Sequence, residues 1–240
     1  VGESAGTIVE LRLSSWQLGP ADTANAINLS GGSYETIYIG GSMQDQIALG
    51  LLLAPGYAFQ YVGTGDFVKY TKTATNQGNT IENVKVVLCT THVDSDNDQK
   101  CDYCNRGETS FSVSVTGASG GVTYYDSIFD AFATAESADT IALLKDVDIH
   151  EKWIDTSEYL KADGATLDLN GHTLSGSGNY VLENYMADIT ICDSSTEKTG
   201  AIKATAEGGY AFYLESGRPS IAGGTFSSIG CNDFIKKSVG

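Results

Sequence analysis

The sequence predicts a mainly β protein. A β-sandwich-like domain covers residues 1–88, a Cys/His/Asp-rich linker covers 89–106, and a capped parallel β-helix covers 107–240. Three observations carry this. Short alternating segments with turn signals about every ten residues fill the first stretch. A single helical pattern follows at 127–135. From Asp139 onward short strands recur, with Gly and Asn between them. Gly is high at 28 of 240 residues and charged residues are low at 18%, a composition that suits short strands joined by tight turns.

In the first domain, residues 7–14 put Val9, Leu11 and Leu13 on one face. Residues 34–39 place Ile37 with Ile39. Residues 57–62 and 66–71 read as aromatic strands, bounded by Pro55-Gly56 and by Gly63-Thr64-Gly65. Residues 83–88 form a strand that runs into Cys89. Residues 42–54 admit a short helix, because Met43, Ile47 and Leu51 keep helical spacing, and that choice stays open.

Further on, Phe111, Val113 and Val115 alternate before a Gly-rich turn at 117–121. The helix at 127–135 has Asp126 placed at its N-cap and Ile128, Phe132 and Ala135 on one face. The repeated strands are 140–144, 165–174, 188–192, 200–204, 209–214 and 220–226. Each sets apolar residues at alternate positions, such as Leu167 with Leu169 and Ile189 with Ile191. The spacing between them is uneven, as when one coil carries two or three short strands. No coil buries its inner face alone, so neighbours stack into continuous apolar rows. The helix, lying just before the first coil, is placed to cover the open end. Asn170-Gly171 suits a turn, since both residues tolerate positive φ. Residues 150–163 read as a polar insertion between coils.

The formal net charge is -16, and no basic cluster exceeds Lys236-Lys237. That field repels phosphate backbones and argues against nucleic acid as a partner. It suits an extracellular protein or cation binding, and simple solubility is the plainer account of it. The most apolar run, 47–57, is too short to span a membrane and is broken by Gly50, Pro55 and Gly56. The start at Val1 and the uncapped end at 236–240 suggest a processed protein or a fragment of a longer one.

Six stretches, taken together, have a familiar order: Tyr124-Tyr-Asp-Ser-Ile-Phe-Asp-Ala-Phe, Asp139-Thr-Ile-Ala-Leu-Leu-Lys-Asp-Val, Leu167-Asp-Leu-Asn-Gly-His-Thr-Leu, Ile189-Thr-Ile-Cys-Asp-Ser-Ser, Gly200-Ala-Ile and Ile221-Ala-Gly-Gly-Thr-Phe. Over residues 107–228 this order resembles the right-handed β-helix adhesin-like proteins on the surface of gut Firmicutes. The resemblance implies a right-handed coil in a secreted or wall-attached bacterial protein that binds host or dietary material. The Cys/His/Asp stretch also resembles short motifs that recur in such proteins. Residues 1–88 resemble no family.

The densest chemistry lies between Cys89 and Cys104. Cys89-x-x-His92 and Cys101-x-x-Cys104 are two pairs with metal-ligand spacing, and four soft S and N ligands complete a zinc tetrahedron. Such a site is closed and structural. The competing reading is a disulfide, with one of the three cysteines reaching Cys192 or Cys231. Asp94, Asp96 and Asp98 alternate as at the opening of a calcium loop, with Asp102 at the ninth position. Gln99 stands where that loop wants Gly, and Asn105 stands where a bidentate Glu would close it. A solvated acidic turn accounts for the same four aspartates.

A β-helix can also be an enzyme. Asp168, between Leu167 and Leu169, reads as pointing outward, and Asp188 and Asp193 flank the next coil, so carboxylates on adjacent coils invite an acid/base reading. No Arg or Lys joins them to hold a developing anion. His172 reads as a turn residue. In the 150–163 segment, Trp153 and Tyr159 are candidates to stack on a sugar or fill a protein pocket, while packing on the coil beneath explains Trp153 as well.

The expectation is a non-catalytic binding protein, extracellular or on the bacterial cell surface, that recognises a host glycoprotein (an immunoglobulin among the targets) or a glycan. Structural zinc and a candidate calcium are its cofactors. The alternatives are a β-helix carbohydrate-active enzyme, either a polysaccharide lyase or a glycosidase, and a purely structural stalk.

Overall fold

The computed structural model describes residues 7–14, 28–40, 47–48, 52–70, 73–74, 81–230 and 235–237. The chain divides into two compact units. One comprises Val1–Val93 and Asp98–Gly107, the other Asp94–Asn97 and Glu108–Gly240.

The first unit holds strands β1 (Thr7–Ser14), β2 (Ser33–Gly40), β3 (Ile47–Ala48), β4 (Tyr57–Tyr61), β5 (Thr73–Ala74) and β6 (Ile81–Leu88). Strand β7 (His92–Asp94) follows. One mixed sheet runs in the order β1-β2-β6-β4, and β3 pairs with β5. β1 and β2 are parallel, and the other pairings are antiparallel. Ile37 faces Ile81 and Phe59 faces Val86 across this sheet, and all four are buried. Residues 66–70 do not form the expected strand: Phe67 makes a single bridge to Gln60. In the segment considered for a helix, Ile47–Ala48 is strand, and residues 42–46 and 49–51 lie outside the described residues.

The second unit opens with an antiparallel hairpin, β8 (Val113–Thr116) and β9 (Val122–Tyr125), then helix α1 (Ile128–Thr134). Ser127, not Asp126, occupies the helix N-cap, and it makes no side-chain capping bond. The reading of the helix's apolar face holds: Ile128, Ala131, Phe132 and Ala135 are buried in the unit's core.

A parallel β-solenoid follows, with four stacked strands on each face among the described residues. The first coil contains β10 (Thr140–Leu143), β11 (Val147–Asp148) and β12 (Ile154–Asp155). The second contains β13 (Thr166–Asp168), β14 (Thr173–Gly176) and β15 (Tyr180–Asn184). The third contains β16 (Thr190–Cys192), β17 (Ala201–Glu207) and β18 (Tyr210–Leu214). The fourth contains β19 (Ser220–Ile221), β20 (Thr225–Ile229) and β21 (Ile235–Lys237). Corresponding strands pair in parallel, building three faces: β10-β13-β16-β19, β11-β14-β17-β20 and β12-β15-β18-β21.

The register explains why these residues form coils. Ile141, Leu167, Ile191 and Ile221 stand in one row of the first face. Val147, Leu174, Ile202 and Phe226 form the row of the second. Ile154, Leu182, Phe212 and Ile235 form that of the third. Branched and aromatic side chains suit this pleated, stacked interior, and each fully buried one contributes about 1.5–3 kcal/mol. At the N-terminal edge of the first face, β8 pairs antiparallel with β10, so that backbone edge is satisfied by a strand.

Two expectations change here. Residues 150–163 are not an insertion between coils, because they contain β12, the third strand of the first coil. The run 165–174 is not one strand but β13, a tight corner and the start of β14. Asn170 and Gly171 form that corner with φ of 47° and 81°, as their tolerance of positive φ requires. Among the described residues, no helix is long and apolar enough to cross a membrane.

Candidate metal centre

The two ligand pairs are brought together by local turns within the first unit. Cys89 follows the end of β6 and is anchored by its N–H to the Gly56 carbonyl at 2.9 Å. His92 opens β7. Cys101 and Cys104 lie on a tight loop: the Cys101 N–H reaches the Arg106 carbonyl at 2.9 Å, and the Asn105 N–H reaches the Cys101 carbonyl at 2.8 Å. Asn105 takes a φ of 57° to close that loop, a conformation that Asn tolerates better than most residues.

Cys89, His92, Cys101 and Cys104 are all buried, and their ligand atoms lie within 4.8 Å of one another. Cys89 Sγ is 4.0 Å from Cys101 Sγ, and Cys104 Sγ is 3.5 Å from His92 Nδ1. A tetrahedron with Zn–S near 2.3 Å and Zn–N near 2.0 Å has S···S edges of about 3.8 Å and S···N edges of about 3.5 Å. The cluster therefore already has the size of a zinc shell, and it can hold a metal ion such as zinc. A disulfide needs sulfurs about 2.05 Å apart. Cys89, Cys101, Cys104 and Cys192 are free cysteines and form no disulfide with one another. Cys231 lies outside the described residues.

The surroundings are compatible with a metal ion. Tyr103 donates its N–H to Cys101 Sγ at 3.5 Å, the kind of bond that supports a thiolate. Ala58, with Phe67 and Tyr103 packed against it, closes an apolar wall beside the sulfurs, and the two rings stack at 5.3 Å. Hydrogen bonds from Cys104 and Cys89 pull the Cys101 thiol down. A bond to Cys101 pushes Cys89 up, and another pushes Cys104 up. A bound metal would ionise these thiols, because the thiolate is the ligand form.

The four aspartates fall in different settings. Asp94 is buried, and Tyr124 donates its hydroxyl to Asp94 Oδ2 at 3.0 Å. Asp98 Oδ1 accepts the Lys100 N–H at 2.9 Å, and Asp102 pairs with Lys69 at 3.1 Å. Asp96 is exposed. Asp94 and Asp96 belong to the second unit, and Asp98 and Asp102 to the first. Gln99 adopts a φ of 65°, so the left-handed turn expected of a glycine at that position is made without one.

Two of the carboxylates weighed for catalysis, Asp168 and Asp193, are covered by the corners of neighbouring coils. Asp168 is buried, and its Oδ1 accepts the N–H groups of Asn170 and Ser194, each at 2.9 Å. Asp193 is buried too. Its Oδ1 accepts from Gly171 N–H, Ser195 N–H and the Ser195 hydroxyl, and its Oδ2 accepts from Gly200 N–H at 2.7 Å. Burial pushes its carboxyl up, but the bonds from Ser195, Gly200 and Gly171 outweigh that and hold it below the usual range. Asp188 Oδ1 accepts the Arg218 N–H. His172 is half-buried beside Asp146, and His150 sits at positive φ beside Asp148. Trp153 is 46% exposed, whereas Tyr159 packs on the Phe132 ring at 5.6 Å. Alternation gave the side-chain direction of Asp168 but carried no signal of the turn that the next coil lays over it.

Compared with known proteins, the chain matches no protein-family profile, no curated protein and no solved structure.

Proposed function

We propose that this chain is a non-catalytic, adhesin-like binding protein, secreted or on a bacterial cell surface, that recognises a host glycoprotein, an immunoglobulin included, or a glycan. The observation that carries this reading is the use made of Asp168 and Asp193. A lyase or glycosidase on this scaffold needs carboxylates open to substrate. Both of these are taken up by backbone N–H groups of the corner between coils. The metal shell supports the same reading, since four protein ligands leave no position for substrate. In this reading the bound ion is a structural zinc. The coil is right-handed, as parallel crossovers overwhelmingly are. α1 covers the start of the coil stack, and the first unit is sandwich-like.

The test pairs an array of glycans and serum proteins with turnover assays on polyuronides and mucin glycans. Saturable binding without turnover is the expected result. Turnover that disappears in a folded Asp168→Asn variant overturns the reading in favour of a carbohydrate-active enzyme. An array without a single hit overturns it in favour of a stalk.

A further inference from the structure

The corner between β13 and β14 is built on a chemically fragile dipeptide. Asn170-Gly171 is the only place in the chain where Asn precedes Gly. Both residues sit at positive φ, 47° and 81°. The stack uses both of them. The Asn170 side chain donates an Nδ2–H to the Leu143 carbonyl, in the coil before, at 2.9 Å. A Cβ on Gly171 would lie 3.1 Å from Ser195 Cβ and 3.2 Å from Ser195 Oγ, and positive φ already disfavours other residues there.

This dipeptide is the one most prone to spontaneous loss of the Asn amide. The Gly171 backbone nitrogen gives its proton to hydroxide and attacks Asn170 Cγ. The new N–C bond closes a five-membered succinimide. The Cγ–Nδ2 bond breaks, and Nδ2 leaves as ammonia with a proton from water. Water then opens the ring to Asp or to isoaspartate. Either product harms this corner. Asp sets a carboxylate against the Leu143 carbonyl. Isoaspartate adds a backbone atom to a turn closed by the His172 N–H on the Leu169 carbonyl at 2.8 Å.

Water reaches the pair, since Asn170 and Gly171 are only half-buried. What restrains the reaction is hydrogen bonding from the coils on either side. Asp193, in the next coil, accepts the Gly171 N–H on Oδ1 at 2.9 Å. That carboxylate is itself fixed by the Ser195 hydroxyl and the Gly200 N–H, each at 2.7 Å. A charge-assisted bond holds the proton strongly, and a carboxylate at this distance opposes a second anion on the nitrogen. Leu143 meanwhile holds the amide that must leave. Attack needs the reacting atoms aligned at about 3–3.5 Å, and here each group is tied to a different coil.

We infer that Asn170 is a latent deamidation site that the stacked coils keep silent, with Asp193 as the residue that guards it. The site becomes reactive only when the coil carrying Asp193 lifts off the coil carrying Gly171. Deamidation at Asn170 then records each such opening irreversibly.

The experiment follows Asp and isoaspartate at position 170 by peptide mapping and mass spectrometry during incubation at mildly alkaline pH. The whole folded chain is compared with the same chain in urea and with the peptide Leu-Asp-Leu-Asn-Gly-His-Thr. The folded chain is expected to react more than about tenfold more slowly than either, because reaction waits on opening of the corner. Asp193→Ala should react severalfold faster than the wild type while circular dichroism shows it folded. Phe212→Ala, which weakens the same stack from its core without touching the corner, should stay near the wild-type rate. Hydrogen exchange gives a second measure on the wild type alone. Exchange of the Gly171 N–H and attack by its nitrogen both require release from Asp193, so the two should be slowed by similar factors. That comparison decides the matter if Asp193→Ala does not fold. A folded chain that reacts as fast as the peptide, a folded Asp193→Ala no faster than the wild type, equal acceleration by Phe212→Ala, or slowing without exchange protection would each overturn the inference.

Discussion

Gly171 donates its backbone N–H to the carboxylate of Asp193, one coil further along, at 2.9 Å. With the Gly200 N–H on the other oxygen, Asp193 ties two corners of the stack together. An amide at this site would accept on one side only and set its NH2 against a donor. Asp193→Asn should therefore cost about 2 kcal/mol, the order expected when a buried charged acceptor loses a partner. Urea titration followed by circular dichroism checks this.

The same carboxylate gives the stack a pH dependence. Its folded value lies below the unfolded one, near 3.9, so its contribution is fully present above that value. It is lost as pH falls through the folded value. Unfolding midpoints measured from pH 7 down to pH 3 should fall more steeply for the wild type than for Asp193→Asn, and parallel curves would contradict the assignment.

Gly200 is required by space. A Cβ there would lie 2.6 Å from Leu169 Cβ and 2.7 Å from Asp193 Cγ. Gly200→Ala forces the corner apart and should cost about 3 kcal/mol, at the upper end of overpacking. Gly63, with nothing within 4 Å of its would-be Cβ, is the control, and Gly63→Ala should leave the thermal midpoint within error.

The metal centre predicts one zinc per chain by elemental analysis, with thiols that react only after chelation. Cys104→Ser should lose the metal and destabilise the first unit, because binding energy at such sites is folding energy. Zinc affinity should fall as pH falls, since the Cys89 and Cys104 thiols must release protons to become ligands. A metal-free protein with a disulfide by mass would refute the assignment.

The inward rows predict a gradient along the solenoid. Phe212 is 1% exposed and packs near Phe226, so Phe212→Ala should cost about 3–5 kcal/mol. Ile221, in the last coil, is 45% exposed, and Ile221→Ala should cost under about 1 kcal/mol. Chemical denaturation of both variants checks the contrast.

How much was legible in the sequence depended on distance along the chain. The Cys-x-x-His and Cys-x-x-Cys pairs are local, so their spacing announced the ligand group before any fold was known. Leu167 and Ile191 were readable as inward residues because alternation is local as well. Strand β15 was missed because Val181 and Leu182 are both buried, which breaks the alternation. Strand β12 was missed because Ile154 is its one core residue, set in a polar run. Asp168 and Asp193 were misjudged for a different reason. Their partners come from neighbouring coils, and no window of sequence contains both donor and acceptor. The Asp126 cap failed because the helix begins one residue later, at Ser127.

The antiparallel pairing of β8 with β10 gives the first face a fixed beginning. Parallel ladders use evenly spaced, slanted bonds, and an antiparallel strand presents alternating close and wide pairs. A further like coil has no matching template on that side. Growth by addition of coils along this face is one-ended, and any fibre built by repeating the unit through it would be polar, with chemically different tips.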